Sequence, residues 1–466
     1  MSKECCTIIC VFHIIPYGLS IHLILQKKPS FCAIRSPWSI LLLSVYGLYL
    51  FCALTIPIVG KASAGLLLLI GLAGLLRLKG RFYDVVGAEK WLLASFALFS
   101  LVSILSFLYW PQTREARMHL EDYATFMLLV PLYLLLRQFN LKVMWLVVML
   151  ALVGIVLGCV SIAQFIAMKY FGVSILVSGK VFWLRPSGGV NPMRYGAISL
   201  VVMAFSLNAI LVLRQKKMWL RLLLVAAVCM GLVACLLTQV RGTWLAIPVL
   251  MLFYSVYLYR NGHPKFLVAL VVGAGVLVVV ASQTQVLQSR AQLIVSDVDS
   301  YQKGDSKSSI GARLDMFKAA GILIKQRPVF GHGLNSYALK ATEIRKATPG
   351  MSNEVGLWAN PHNEILQVMV EKGVVGLITL LLLFAAPGYL FLRALSKSDD
   401  SSSGQQVKYY AMCGLGLLII YAVAGQSVAL FEHDVFNHFF ALMVLLFASQ
   451  VRIVEYTGGE GVGSGW

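Results

Sequence analysis

Runs of about 20 apolar residues follow one another along almost the whole of this chain, and this pattern constrains its fold more than any other feature. In lipid no water satisfies backbone N–H and C=O groups, so each run must close its own hydrogen bonds as a helix. A barrel would show shorter segments of alternating character, and none are seen. Of the 466 residues, 59% are hydrophobic and 13% charged, against roughly 25% charged in soluble domains. The expected fold class is an all-α polytopic membrane protein.

Spans are read at about 38–59, 62–78, 91–110, 122–138, 143–166, 194–213, 218–237, 242–260, 264–281, 373–394, 408–428 and 435–452, about twelve in all. Lys and Arg orient them. Clusters such as Lys27/Lys28/Arg35, Arg77/Lys79/Arg81/Lys90, Arg137/Lys142, Arg214/Lys216/Lys217/Arg221, Arg260/Lys265 and Arg393/Lys397/Lys408 fall in alternate loops. Roughly nineteen basic residues lie on that side against about eight in the opposite short loops, so the first side is cytoplasmic. A further apolar stretch at about 7–25 contains His13, Pro16 and His22. The loop charges are consistent only if it does not span, and it is not read as a cleaved signal peptide, since Lys3 gives a thin basic region and no small-residue cleavage site follows. The division is then an N-terminal apolar and cytoplasmic segment (1–37), helices one to nine (38–281), a large outward loop (282–362), helices ten to twelve (363–452) and a flexible glycine-rich tail (453–466).

The outward loop is expected to carry helices of its own. Ile310, Leu314, Phe317, Gly321 and Ile324 recur at helical spacing, with Arg313, Asp315, Lys318 and Lys325 on other faces, so the apolar stripe should sit on the membrane or the bundle top. Pro328 ends that helix, and a shorter one is expected around 337–346.

The formal net charge of +19 would suggest nucleic acid in a soluble protein. Here cytoplasmic loops account for it, and no nucleic-acid-binding motif is present. The nine cysteines are scattered through apolar stretches, with no CxxC pair and no Cys/His cluster, so neither a disulfide framework nor a metal site is expected. No nucleotide-binding or serine-hydrolase motif occurs, and no cofactor is implied.

Three residues combine chemistry with an outward position: Arg185 in Leu184–Gly189, Arg241 before Gly242, and His362 in Asn360–Leu366. Many membrane-edge arginines are simple anchors that snorkel to headgroups. Arg241 runs against the positive-inside bias, however, and its glycine neighbour permits close approach. Guanidinium groups bind phosphate oxygens in a bidentate way and stabilise a departing pyrophosphate. Asn360 and Pro361 are placed to cap a helix holding His362 in its first turn, where the dipole favours the neutral imidazole that a general base needs. The plain alternative is a polar headgroup contact. Secondary candidates are Arg194, also readable as a span anchor; His433 and Asp434, also readable as a structural pair; His332, which reads as a turn residue between glycines; and Asn363. Glu364 and Glu371 follow His362 on or near one helix face.

At these positions the chain resembles the O-antigen ligase family, a group it shares with O-antigen polymerases and bacterial O-linked oligosaccharyltransferases. Arg241 and Leu245 match an arginine motif; His362, Asn363, Leu366 and Gly373 match a histidine motif; Arg327–Tyr337 is similar to a periplasmic-loop signature; Arg185–Gly188 matches a first arginine motif. The resemblance covers about residues 180–380 with motifs and the remainder by topology. It implies a metal-independent inverting glycosyltransferase of the GT-C type in the Gram-negative inner membrane, with its site facing the periplasm. The implied donor is a glycan on undecaprenyl pyrophosphate and the implied acceptor is lipid A–core oligosaccharide. Arg185 and Arg241 would bind the pyrophosphate, and His362 would deprotonate or hydrogen-bond the acceptor hydroxyl. A monomer surrounded by membrane lipids is expected. The alternatives are a polymerase or a protein O-oligosaccharyltransferase, and from another class a lipid-linked glycan transporter. A transporter would need charge within the spans, which is scarce, and would not need His362.

Overall fold

The structure is a computed structural model that describes residues 37–55, 57–78, 87–109, 114–173, 185–214, 217–262 and 308–457, with a few single positions besides and an antiparallel hairpin of β1 (Cys10–Ile15) and β2 (Gly18–Leu23). That hairpin occupies the N-terminal apolar stretch, which is therefore not a helical span. The rest is helical. In chain order the helices are α1 (Pro37–Cys52), α2 (Pro57–Leu78), α3 (Ala88–Tyr109), α4 (Arg114–Leu128), α5 (Val130–Leu136), α6 (Val143–Ile166), α7 (Pro192–Val212), α8 (Met218–Leu237), α9 (Arg241–Trp244), α10 (Ala246–Arg260), α11 (Ser309–Gln326), α12 (Tyr337–Ala347), α13 (Glu364–Lys397), α14 (Ser402–Ala424) and α15 (Asp434–Thr457).

Eight of the described segments are long and apolar enough to cross a membrane: α3, α6 with its following π-turn, α7, α8, α9–α10, α13, α14 and α15. Two of the other expected spans are shorter apolar helices, Ile40–Cys52 and Val59–Gly74. The span expected at 122–138 is divided between α4 and α5 at Leu129, because Pro131 lacks an amide donor and interrupts the ladder. The span expected at 264–281 lies mostly outside the described residues.

Burial ranks the helices. The spanning parts of α7, α14 and α15 are 83%, 78% and 89% buried and form the centre, whereas those of α8 and α9–α10 are 33% and 28% buried and form the rim. Lipid is as apolar as leucine, so close packing rather than water exclusion selects these contacts. α8 lies against α6 and α7. A β-carbon at Gly158 would meet Met230 at 2.5 Å, so the absence of a side chain there sets the α6–α8 approach. At one end of the bundle the buried Glu89 accepts a hydrogen bond from Tyr133 at 2.6 Å and pairs with Arg452 at 3.4 Å and Arg137 at 3.9 Å. α3, α5 and α15 thus meet at the end where the loop charges concentrate. The residues with candidate chemistry lie at the opposite end, called the site end below.

α13 is broken. Gly373 has φ 61° and ψ −156°, which ends one helix and begins another. The peptide groups freed at the break are taken up by residues 328–333. His332 N–H donates to the Val370 carbonyl at 2.7 Å and Gly333 N–H to that of Glu371 at 2.9 Å. Val374 N–H donates to the Pro328 carbonyl at 2.8 Å and Val375 N–H to that of Val329 at 3.2 Å. The 327–337 signature is therefore a plug that satisfies a break in a membrane helix, where orphaned backbone groups are costly.

α11 and α12 pack over this plug around Ala312, Met316, Ala319, Ala320, Leu323, Tyr337 and Val370. The helices occur where spacing placed them, and the face of α11 that packs within the protein is the alanine one: Leu314 is 38% exposed and Asp315 is buried. The alanine face permits closer approach than the stripe of larger residues would. Asp315 is satisfied there by the Ser352 N–H at 2.8 Å and the Tyr301 hydroxyl at 3.0 Å.

Candidate active site

His362 lies two residues before α13, not inside its first turn. Asn363 is the N-cap, accepting the Leu366 N–H at 3.0 Å. Asn360 instead accepts the His362 N–H at 3.0 Å, and His362 adopts φ +57°. A left-handed residue cannot continue a helix, which is why the cap is Asn363, three positions later than the Asn360 that the sequence suggested. The imidazole lies beside Trp358, with ring centroids 5.9 Å apart. Its Nδ1 is buried with no hydrogen-bond partner among the described residues. Burial holds the His362 pKa below the ordinary histidine value, the Arg313 guanidinium pushes it further down, and Glu354 opposes both. A neutral imidazole is therefore favoured, chiefly by burial and a neighbouring cation.

Arg313, on α11, is the residue that sequence reading passed over. In the sequence it is one polar residue of an amphipathic helix, and no local motif distinguishes it. Burial lowers its pKa, Arg241 lowers it further and Glu354 raises it. Arg313 thus interacts with both Arg241 and His362, although the three are far apart in sequence. Arg241 opens α9 after Gln239, which has φ +55°. Gly242 lets this turn close on the loop after α14, because a β-carbon there would occupy the place of the Ser427 hydroxyl. The same loop reaches the histidine motif: Glu364 N–H donates to the Gly425 carbonyl at 2.7 Å, and Asn363 Nδ2 to that of Gln426 at 3.3 Å. Two guanidinium groups held near each other gain by sharing an anion.

Arg185 stands on the α6–α7 side of the same end. The turn after it is fixed by Gln164, whose Oε1 accepts the N–H groups of Ser187 at 3.0 Å and Gly188 at 2.9 Å. Arg194, at the start of α7, contacts His433 Nδ1 at 2.7 Å and lies 4.0 Å from Asp434. Asp434 also pairs with Lys61. Lys61, His433 and Asp434 border a cavity of about 450 Å³ lined also by Asp122, Thr125 and Glu432. His332 is committed elsewhere: its Nε2 contacts the Leu323 carbonyl at 2.8 Å, and burial lowers its pKa.

Between the histidine turn and the cavity lies Glu432. Burial pushes its carboxyl well above the ordinary value, as do Glu371 and Glu364, while hydrogen bonding to Asn360 and the charge of Lys372 oppose this. Glu364, Glu371 and Lys372 are also buried, with the Lys372 ammonium 3.5 Å from the Tyr123 ring centroid. Buried ionisable groups are therefore more numerous at the site end than the apolar sequence suggested. Among the described residues no cluster of three or more His, Cys, Asp or Glu is arranged to hold a metal ion.

The family model described as O-antigen ligase matches residues 225–381. The chain is 24% identical over 370 residues to an uncharacterized protein of Haemophilus influenzae, covering 77% of this chain and 86% of that protein. It is 26% identical over 235 residues to an O-antigen ligase of Escherichia coli, covering 47% of this chain and 54% of that relative. The segment that the O-antigen ligase model matches contains Arg241, Arg313, His362 and the break at Gly373, so the chain is similar to that family over the stretch that carries the candidate site.

Proposed function

We propose that this protein transfers an O-antigen glycan from undecaprenyl pyrophosphate to lipid A–core oligosaccharide on the periplasmic side of the inner membrane. The reading is carried by the gathering of Arg241, Arg313 and His362 at one end of the bundle. Arg241 and Arg313 hold the pyrophosphate, with Arg185 and Arg194 on the neighbouring flank toward which the lipid-linked glycan extends. The acceptor hydroxyl oxygen attacks the anomeric carbon from the face opposite the pyrophosphate, which inverts the configuration. As the new C–O bond forms, the bond to the pyrophosphate oxygen breaks and its electron pair stays on the pyrophosphate. The hydroxyl proton passes to the neutral imidazole of His362. The two arginines stabilise the charge that develops on the leaving group, and positioning supplies much of the remaining acceleration. No metal ion is needed in this scheme, because the fixed cations take its electrostatic role.

The test uses purified protein, undecaprenyl-pyrophosphate glycan and lipid A–core in the presence of a chelator. Wild type is expected to form glycan-bearing lipid A–core, and His362→Ala at equal folded yield is expected to lose it. Transfer to no lipid A–core acceptor would remove the ligase reading, and an active His362→Ala variant would remove the base.

A further inference from the structure

Three observations meet beneath His362. The left-handed turn there is held by Asn360 Oδ1. An amide keeps its oxygen in that position only if its nitrogen donates elsewhere. Asn360 Nδ2 donates to Glu432 Oε2 at 2.6 Å. Glu432 is 3% exposed and follows Phe431, whose ring sits 5.3 Å from Phe440, 5.6 Å from Phe126 and 5.7 Å from Phe99, so its backbone is fixed by an aromatic cage. The other Glu432 oxygen accepts from Gln367 Nε2. That amide also donates to Glu371 Oε1 at 2.7 Å, and the same Glu371 oxygen accepts the Asn335 N–H at 2.6 Å. One unbroken series of hydrogen bonds therefore runs from the plug at Asn335, across α13 and the α14–α15 turn, to the histidine turn.

We infer that Glu432, acting with Gln367 and Asn360, is a positioning residue for His362 that couples the plugged loop to the orientation of the imidazole. This rests on His362 being the base of the proposed reaction. Donor and acceptor order gives the inference its content. Carboxylates accept at Glu432 and Glu371, and amides donate at Asn360 and Gln367. Glu432→Gln keeps the volume but turns one acceptor into an NH₂ group. If that group faces Gln367, Gln367 must rotate and withdraw its donor from Glu371. If it faces Asn360, Asn360 must rotate and withdraw its oxygen from the His362 N–H. Either way the series breaks at one point. The exchanged pair Glu432→Gln/Gln367→Glu restores the order: the introduced amide accepts from Asn360 and donates to the introduced carboxyl, which shares a proton with Glu371.

Two readouts on the purified full chain test this. The first is kcat and donor KM for glycan transfer. The second is the rate at which diethyl pyrocarbonate modifies His362, followed by peptide mass spectrometry, which needs no activity. Glu432→Gln is expected to lower kcat about tenfold or more with donor KM within about twofold, since a small misplacement of a reacting group is enough. It is also expected to change His362 modification by about threefold or more, and the exchanged pair to return both readouts to within about threefold of wild type, as the buried donors regain partners. Wild-type kcat and reactivity in Glu432→Gln, or an exchanged pair no better than the single variant, would overturn the inference. Should Glu432→Gln not fold, Asn360→Ala removes only the last link and is read in the same way. If wild type transfers no glycan but His362 reactivity follows this pattern, the function fails and the positioning role stands.

Discussion

Gly373→Ala is the perturbation whose size the structure sets most directly. At φ 61° and ψ −156° the residue occupies a region essentially reserved for glycine, and forcing a β-carbon into it costs about 1–3 kcal/mol. The new carbon would also press on the Val329 carbonyl. Relieving that contact moves the plug, which is held to α13 by backbone hydrogen bonds of 2.7–3.2 Å. Losing two of them costs about 1 kcal/mol each. The total is about 3–5 kcal/mol, and at 1.4 kcal/mol per decade the undocked population rises by about two to three and a half decades. Hydrogen–deuterium exchange resolved to peptides covering 327–335 and 370–376 reads this population directly. Exchange there should accelerate by two decades or more, while peptides of α7 and α15 hold their protection. Exchange within about twofold of wild type would refute the reasoning, because the break would then tolerate a side chain and the plug would not depend on it.

Arg313→Ala and Arg241→Ala should each lower transfer by about 10²–10³-fold, the range for losing one group that stabilises developing charge. The double variant should fall short of the product of the two losses, measured by kcat/KM under one set of conditions, since both act on the same phosphate group. The pH profile follows from His362. Its pKa is held below the ordinary value of 6.5, so transfer should rise with pH through a value under 6.5 and stay level above it, as the imidazole loses its proton. Arg313→Gln removes a neighbouring cation that favours the neutral form and should move the remaining acid limb to higher pH; an unmoved limb would dissociate Arg313 from His362. At the opposite end, Glu89→Ala should strip Arg137, Arg452 and Tyr133 of their shared acceptor and lower stability by about 3–5 kcal/mol, seen as a lower melting temperature in detergent. Molecules that remain folded should transfer glycan at the normal rate.

How much of this site was legible in the sequence depends on distance along the chain. The histidine motif, the arginine motif at Arg241 and the loop signature are local, and each could be found by spacing. Arg313 could not: it reads as one polar residue on an amphipathic helix, and its meaning comes only from where α11 is set down. Which face of α11 packs within the protein is illegible for the same reason. Periodicity identifies a helix but does not say which neighbours it meets, and an alanine face was chosen here because it lets helices approach. The cap of α13 moved because His362 is left-handed, a property held by Asn360 and Glu432 from a turn far along the chain.

Apolar runs and loop charges are enough to specify a bundle of membrane helices, where the helical runs fall and which ends of them are basic, because a lipid environment forces each apolar run to satisfy its own backbone. Folding in three dimensions adds that a broken helix is plugged by a distant loop, that Glu432 stands behind the histidine, and that Arg313 comes within electrostatic reach of Arg241 and His362. Those are contacts between segments remote in sequence, set by packing and by the need to pair every buried polar group, and no local pattern encodes them.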